Sequence, residues 1–210
     1  MAKNYHLNRK PYDYGLFTQG VDDSGKAIQQ AYTPATDQQI SKFEADYECS
    51  LPTDYKQFLL NCNGGKINKN NDTIQIAVDV IRAVNEKSLV RATVIDIDHF
   101  YSLDEATLLA RGERENNLWS IMETWYLPKA QDAYREFVNM QDVVGLVGKK
   151  FIVIAAGSAS KHVILLSCDD EFNGKVLVVD TNLYPDKPFD NLAILADSFD
   201  EFQRALYYEG

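Results

Sequence analysis

The sequence lacks a long hydrophobic run and has few features of a secreted or membrane protein. Its longest apolar runs, at 151–156 and 176–179, fall far short of the roughly 20 residues that a membrane helix needs. No apolar stretch follows the charged residues of the N-terminus, so no secretory signal is predicted. We therefore expect a soluble, cytoplasmic protein without a membrane partner.

Cysteine and basic residues are also scarce. Cys49, Cys62 and Cys168 are odd in number and widely spaced, which suits a reducing compartment and does not match a zinc site. We expect all three to be buried thiols. Lys and Arg total 21 against 31 Asp and Glu, which gives a net charge of −10. Such a surface repels the phosphate backbone of nucleic acids and attracts a basic protein partner instead.

The composition is that of a globular chain, with 45% hydrophobic and 25% charged residues among 210. This length suits one sizeable core. Residues 1–35 are rich in aromatic side chains but have little periodicity, and clear secondary-structure signals begin at Thr36. We predict an aromatic N-terminal extension over 1–35 that lies on a single domain over 36–210.

Two helices are predicted at the start of this domain. Thr36 and Gln39 have the spacing of a capping box, which marks the first turn of a helix. An apolar stripe at helical spacing follows, formed by Ile40, Phe43 and Tyr47. Pro52 suits the start of a second helix, and Asn63-Gly64-Gly65 suits its end. We expect a positive φ at Gly64 or Gly65, because glycine adopts the left-handed conformation of a helix C-terminus.

The rest of the domain is predicted to be mainly strands. Five β-branched or alternating runs lie at 73–80, 93–97, 151–155, 162–167 and 175–180. Asn173-Gly174 predicts that the last two form a hairpin. Residues 102–140 are typical of helix, with a capping box at Ser102 and a break at Pro128. A capping box at Ser198 begins a terminal helix. We predict an α+β fold with two N-terminal helices on a twisted, mostly antiparallel sheet and a C-terminal helix.

The densest group of acid–base or metal-ligating side chains is Asp96-Ile97-Asp98-His99. On a strand, Asp96 and Asp98 share one face and His99 points to the other, which makes a poor transition-metal site. A solvated strand edge is the expected structure, and a hydrolase that uses Asp96 or Asp98 is the alternative. The sequence contains no Gly-x-Ser-x-Gly elbow, Walker loop or dinucleotide fingerprint. We predict no enzyme activity, no metal and no cofactor.

Three consecutive acids, Asp169, Asp170 and Glu171, are expected at the tip of the predicted hairpin. Solubility alone explains such a run, but complementary charge also speeds association with a cationic protein. The candidate partner-binding residues are Asp96, Asp98, Tyr101, Asp169, Asp170 and Glu171. The aromatic group Trp119, Trp125 and Tyr126 is a second candidate, although its helical spacing also favours core packing.

Three blocks of the sequence resemble the SUKH superfamily. The segment Leu51-Pro-Thr-Asp-Tyr-Lys-Gln-Phe-Leu-Leu60 with Asn63-Gly-Gly65 resembles its "LP-x-DY-x-x-FL … NGG" signature. The strand pair at 162–166 and 174–180 resembles its second block, and Ser198-Phe-Asp-Glu-Phe202 resembles its closing "SF-x-EF" helix. The resemblance spans about residues 36 to 206. It departs from the family at 156–161, where members usually have an acidic, Gly-rich turn, and in the long stretch 102–140.

The signature residues themselves have a structural explanation, because they are apolar or shape helix ends. They are Leu51, Pro52, Tyr55, Phe58, Leu59, Asn63, Gly64 and Gly65. Members of the superfamily include bacterial immunity proteins and fungal regulators of cell-wall glucan synthesis. The resemblance implies an immunity protein that binds a protein toxin and blocks its active site, and the acidic charge suits a basic toxin such as a nuclease. The alternative is a scaffold or regulatory interaction module of the fungal type.

Overall fold

The computed structural model describes residues 10–11, 33–66, 75–84, 94–104, 126–140, 148–157, 162–180 and 191–209. Within these ranges the chain combines helices with antiparallel sheets, which confirms the predicted α+β fold. The helices are α1 (Asp37–Asp46), α2 (Thr53–Asn61), α3 (Leu127–Met140) and α4 (Phe199–Ala205). None of the helices in the described ranges is long and apolar enough to cross a membrane.

The strands form two sheets, and the named strands pair antiparallel in both. The four-stranded sheet consists, in spatial order, of β1 (Lys10–Pro11), β11 (Tyr207–Glu209), β3 (Gln75–Asp79) and β5 (Val94–Ile97). The seven-stranded sheet consists of β2 (Gly65–Lys66), β6 (His99–Phe100), β7 (Phe151–Ala156), β8 (His162–Ser167), β9 (Val176–Asp180), β10 (Leu192–Ala196) and β4 (Arg82–Ala83). The chain changes sheets several times: β3 and β5 belong to the four-stranded sheet, whereas β4 between them and β6 after them belong to the seven-stranded sheet, so one of the changes falls at Asp98.

All five predicted strands are present, as β3, β5, β7, β8 and β9. Strand β10 was missed, although its run Leu192–Ala196 is apolar throughout and flanked by Asn191 and Asp197. Strands β7 to β10 are buried along almost their whole length. Strands that are covered on both faces have continuous apolar runs instead of alternation, so the period-2 pattern is weak here.

Helices α1 and α2 begin and end as their sequence signals predict. The Gln39 N–H donates to Thr36 Oγ1 at 3.2 Å, and the Thr36 N–H donates to Gln39 Oε1 at 2.9 Å. Helix α2 begins directly after Pro52. It is followed by positive φ angles at Asn63, Gly64 and Gly65, of 51°, 81° and 133°. The prediction of a left-handed glycine at this position is confirmed.

The predicted break near Pro128 is present, because Tyr126 lies in a bridge to Ser102 and α3 begins at Leu127, with Pro128 in its first turn. A proline is tolerated there since its nitrogen needs no helical hydrogen bond. Helix α3 is joined to β7 by Gln131, which is 2% exposed. The Gln131 Nε2 donates to the Phe151 carbonyl at 2.8 Å, and its Oε1 accepts from the Val153 N–H at 2.9 Å. The remainder of the predicted helical stretch, 105–125, lies outside the described residues, including Trp119 and Trp125.

Five aromatic side chains from α2, β6 and α4 pack together in the core. We call them the aromatic junction: Tyr55, Phe58, Phe100, Phe199 and Phe202. The ring centroids of Phe58 and Phe199 are 5.1 Å apart, and those of Tyr55 and Phe199 are 4.8 Å apart. Asp54 and Asp200 are the sequence neighbours of Tyr55 and Phe199, and the Asp54 carboxylate accepts a hydrogen bond from the Asp200 N–H at 2.9 Å. The first and third blocks of the family resemblance therefore contact each other in space.

Asn63 and Gly64 do more than end helix α2, because each also makes a close contact with another segment of the chain. Asn63 is fully buried, and its Nδ2 donates to the Thr33 carbonyl at 2.6 Å while its Oδ1 accepts from the Leu103 N–H at 2.9 Å. A Cβ on Gly64 would lie 2.4 Å from the Tyr101 carbonyl oxygen. The other apolar signature residues, Leu51 and Leu59, are buried in the same core. The signature thus consists of residues that build the fold.

Candidate partner-binding surface

The two acidic groups of the predicted contact surface lie at opposite ends of β8. The Asp98 N–H donates to the Ala156 carbonyl at 2.8 Å, and Ala156 pairs with Val163 at the start of β8. Asp169 follows Ser167, which is the last residue of β8. Five residue steps along a strand cover about 17 Å. The structure therefore separates Asp96 and Asp98 from the acids of the hairpin.

The acidic hairpin connection, which we call the hairpin tip (residues 168–175), is fixed by local hydrogen bonds. The Asp169 N–H donates to Ser167 Oγ at 3.2 Å, and Asp169 Oδ1 accepts from the Glu171 N–H at 3.1 Å. Gly174 has a φ of 76° and donates its N–H to the Ser167 carbonyl at 2.9 Å, which closes the turn. Phe172 is buried against Phe151, whereas Asp170 and Glu171 are exposed. The tip thus presents two acids on an ordered turn.

Lys149 compensates part of this negative charge. Its Nζ lies 2.9 Å from Glu171 Oε2 and 3.5 Å from Asp169 Oδ1. The hydrogen bond to Glu171 raises the pKa of Lys149, and Asp169 adds to the effect. Burial works against ionisation of Asp169, but the Glu171 N–H and Lys149 hold the pKa of Asp169 below its usual range. Lys149 and Asp169 therefore favour each other's charged forms, and Asp170 and Glu171 are exposed beside them.

Lys149 was not among the predicted site residues, although its position follows from the pairing of β7 with β8. Phe151 pairs with Ser167 in the β7–β8 hairpin. Extending this antiparallel register by two residues on each strand puts Lys149 opposite Asp169, where side chains interact across strands. Next to Lys149 is a cleft of about 370 Å³ between α3 and the start of β7, lined in part by Tyr47, Arg135 and Lys150. The acidic tip is thus bordered by basic side chains.

The second acidic group, Asp96 and Asp98 near the start of β8, has a different backbone path from the predicted one. The strand does not continue through 96–99, because the chain changes sheets at Asp98. The expectation that His99 points away from Asp98 is wrong, since His99 Nδ1 lies 3.0 Å from Asp98 Oδ2. His99 itself is 1% exposed. His162 and Asp180 form a second His–carboxylate contact nearby, with Nε2 and Oδ2 3.8 Å apart.

Tyr101 is fully buried, and its ring packs edge-on against His99 with centroids 4.9 Å apart. Burial raises the pKa of the Tyr101 hydroxyl, and the charge of Asp98 adds to this shift. A ring without exposed surface offers nothing to a partner, so Tyr101 is removed from the candidate contact residues. Within the described ranges, no three His, Cys, Asp or Glu side chains are grouped so that they could hold a metal ion.

The three cysteines are half-buried, not fully buried as predicted. Cys49 lies in the α1–α2 connection, and Cys168 lies at the start of the hairpin tip, where its N–H donates to the Lys150 carbonyl at 2.8 Å. Tyr126, the one described member of the predicted aromatic group, is partly buried beside Pro128 and Leu103 at a small cleft.

Helices around antiparallel sheets, with the signature blocks joined in the core, define an α+β domain of the SUKH type. The chain belongs to the SMI1 / KNR4 family (SUKH-1), whose model matches residues 34–204. A search of curated proteins found no match to the chain. The matched region begins close to Thr33, whose carbonyl is bound by the signature residue Asn63.

Proposed function

We propose that this protein is a cytoplasmic immunity protein, which binds a basic protein toxin and blocks it without catalysing a reaction itself. Family membership supports a protein-binding role, and the net charge of −10 supports a cationic partner. A tight inhibitor of this kind buries about 1,600 Å² in total around a few anchor residues.

The hairpin tip is the observation that carries the proposal. Asp170 and Glu171 are exposed on a turn that is already fixed by hydrogen bonds from Ser167, Asp169 and Gly174. A preformed turn loses little conformational freedom when a partner binds. Exposed acids at the rim of an interface attract a cationic partner over a distance and mainly raise the association rate.

The proposal is tested by producing the chain together with the basic protein encoded next to it. We expect the chain to protect cells from that protein and to form a stable complex of defined stoichiometry with it. Growth arrest that continues despite abundant folded chain would contradict the proposal. Binding to several unrelated proteins without protection would instead favour the scaffold role that the family also includes.

The contact surface is tested with two charge-matched variants, Asp170→Asn/Glu171→Gln at the tip and Asp96→Asn/Asp98→Asn at the other end of β8. Each removes two negative charges, so the net charge is the same. We expect the tip variant to lower the association rate about three- to tenfold at low salt, with a smaller change in dissociation. Surface plasmon resonance at two salt concentrations measures both rates.

Equal effects of the two variants would mean that only net charge matters, and this would contradict a specific role of the tip. A loss confined to Asp96→Asn/Asp98→Asn would move the contact surface to the opposite end of β8. Loss of a hydrolytic activity in that second variant would favour the enzyme hypothesis.

A further inference from the structure

The cleft between α3 and the start of β7 collects positive charge in an acidic protein. Its volume of about 370 Å³ lies within the range of small-molecule sites, which is about 300–1,000 Å³. Three basic residues and one acidic residue line it: Arg135, Lys149 and Lys150 against Glu48. The lining therefore has a formal charge of +2, whereas the whole chain has −10.

Two of the cations are held at the cleft by the contacts that pack α3 on β7. Gln131 joins the two elements, because its Nε2 donates to the Phe151 carbonyl at 2.8 Å. Arg135 lies one turn after Gln131 and therefore on the same face of α3. Lys150 directly precedes Phe151, and its carbonyl accepts from the Cys168 N–H at 2.8 Å. The backbone on both sides of the cleft is thus fixed by hydrogen bonds.

The guanidinium group of Arg135 is already oriented. Its Nη2 donates to the Tyr47 carbonyl at 3.0 Å, and its Cζ lies 4.7 Å from the centroid of the Tyr47 ring. Tyr47 is fixed in turn, since its hydroxyl oxygen lies 2.8 Å from the Pro128 carbonyl and 2.9 Å from Asp132 Oδ1. A guanidinium has five N–H donors in a planar fork, so one bond to a carbonyl leaves donors for a ligand.

Arg135 and Lys150 make no ion pair with a carboxylate in the described part of the chain. Other cations of this acidic protein do so. Lys149 Nζ lies 2.9 Å from Glu171 Oε2, and Lys56 Nζ lies 2.7 Å from Glu44 Oε1. The two unpaired cations therefore give the cleft a positive charge that an external anion can neutralise.

Tyr134 adds an unused hydrogen-bonding group to the lining. It is 3% exposed, and its buried hydroxyl has no hydrogen-bond partner among the described residues. Burial raises the pKa of this hydroxyl, so it keeps its proton. A buried hydroxyl without a partner costs free energy, which a ligand oxygen that reached it would recover.

We propose that this cleft binds a small phosphate monoester, with Arg135 and Lys150 on the phosphate oxygens and Tyr134 as a hydroxyl donor. A phosphate monoester carries about −1.5 to −2 charges at neutral pH and has three strong acceptor oxygens. This charge matches the lining, whereas a carboxylate supplies a single charge. Val138 and Ile152 also line the cleft and provide apolar surface for the organic group. The site does not depend on the proposed function, because it requires neither the hairpin tip nor a protein partner.

The experiment titrates the folded full chain with three probes by isothermal calorimetry at one low ionic strength. The probes are phenyl phosphate, benzoate and inorganic phosphate. Benzoate has the same ring with one negative charge, and inorganic phosphate has the charge without the ring. We expect one saturable site for phenyl phosphate, with a Kd at least about tenfold lower than for either other probe.

Four variants locate the site. Arg135→Gln and Lys150→Gln should each raise the Kd for phenyl phosphate at least about tenfold. Lys129→Gln is the matched control, because it removes the same charge from α3 but does not line the cleft, and it should change the Kd by less than about twofold. Tyr134→Phe should raise the Kd about tenfold without lowering the Tm, since it removes a hydroxyl that has no partner in the folded chain.

Absence of saturable phenyl phosphate binding to the wild-type chain would overturn the proposal. Benzoate binding of equal strength would overturn the phosphate class, and inorganic phosphate binding of equal strength would overturn the monoester. These three readings come from the wild-type chain, so they do not depend on the folding of a variant. Equal losses in Arg135→Gln and Lys129→Gln would show attraction to charge in general and would overturn the assignment of the site to this cleft.

Discussion

The aromatic junction and the hairpin tip are stabilised in opposite ways. The junction consists of five aromatic rings, four of them from the first and third resemblance blocks and one from β6. Each of these residues is at most 4% exposed, and the rings are held by packing against one another. The strands on either side of the tip belong to the second resemblance block, but Asp170 and Glu171 do not, and they are exposed to solvent. The tip is held by hydrogen bonds such as that from the Asp169 N–H to Ser167 Oγ, and by Lys149. The rings that carry the family signature are therefore buried, whereas Asp170 and Glu171 lie in solvent. Variants of each region should separate stability from recognition.

The largest effect is expected in the junction. Phe58→Ala removes a ring that contacts Phe100 and Phe199, at centroid distances of 5.5 and 5.1 Å. Loss of a buried aromatic side chain costs about 3–5 kcal/mol, so the urea midpoint should fall strongly. Leu60→Ala in the same helix is the control, since Leu60 is partly buried and should cost less. Equal midpoints for the two variants would contradict the central place of Phe58.

A smaller effect is expected at the end of α2. Gly64→Ala would need both a φ near 81° and a Cβ only 2.4 Å from the Tyr101 carbonyl oxygen. Left-handed strain and overpacking together should cost about 2–4 kcal/mol. Gly174→Ala is the control, because its φ is 76° and nothing lies within 4 Å of the added carbon. It should cost about 1 kcal/mol. Thermal or urea unfolding that gives equal losses would refute the close contact at Gly64.

The smallest effect on stability is expected at the tip. Lys149→Met removes the cation between Glu171 and Asp169, whose side chains are 49% and 19% exposed. Exposed ion pairs contribute little, so the loss should be under about 1 kcal/mol. The same change leaves the tip more negative, so association with a cationic partner should become faster. A strongly destabilised variant would show that the ion pairs of Lys149 stabilise the fold far more than exposed pairs do.

The contribution of Lys149 should depend on pH. The pKa of Asp169 is lowered in the folded protein, against the opposing effect of burial, by the Glu171 N–H and Lys149. A carboxylate with a lowered pKa stabilises the fold above its unfolded pKa of about 4 and loses this effect as the pH falls through the folded value. The stability difference between wild type and Lys149→Met should therefore shrink in acid. Urea midpoints at pH 7 and at about pH 3 measure it.

Local signals in the sequence predicted much of the fold. The capping box at Thr36, the glycines after α2 and the Asn-Gly turn each depend on a few adjacent residues, and each lies where it was expected. Strand β10 was missed because a short apolar run without alternation is hard to assign. The bridge that Asn63 makes between Thr33 and Leu103 joins segments far apart in sequence, so no local pattern indicates it.

The candidate site was less predictable, because it depends on tertiary structure. The pattern around Asp98 suggested one strand, whereas the chain changes sheets there and brings His99 back onto the carboxylate. Tyr101 was expected at the surface but is covered by the packing around β6. The position of Lys149 opposite Asp169 follows only once β7 and β8 are paired, and the sequence analysis did not predict that pairing.

The pairing of β1 with β11 has a consequence for the assembly of the chain. Lys10 pairs with Tyr208 and Pro11 with Tyr207, so among the described strands β1 forms the outer edge of the four-stranded sheet. During synthesis, β1 leaves the ribosome long before β11 does, so this edge cannot pair until β11 has been made. Once in place, Pro11 has no N–H to offer a further strand, which discourages edge-to-edge aggregation of finished molecules.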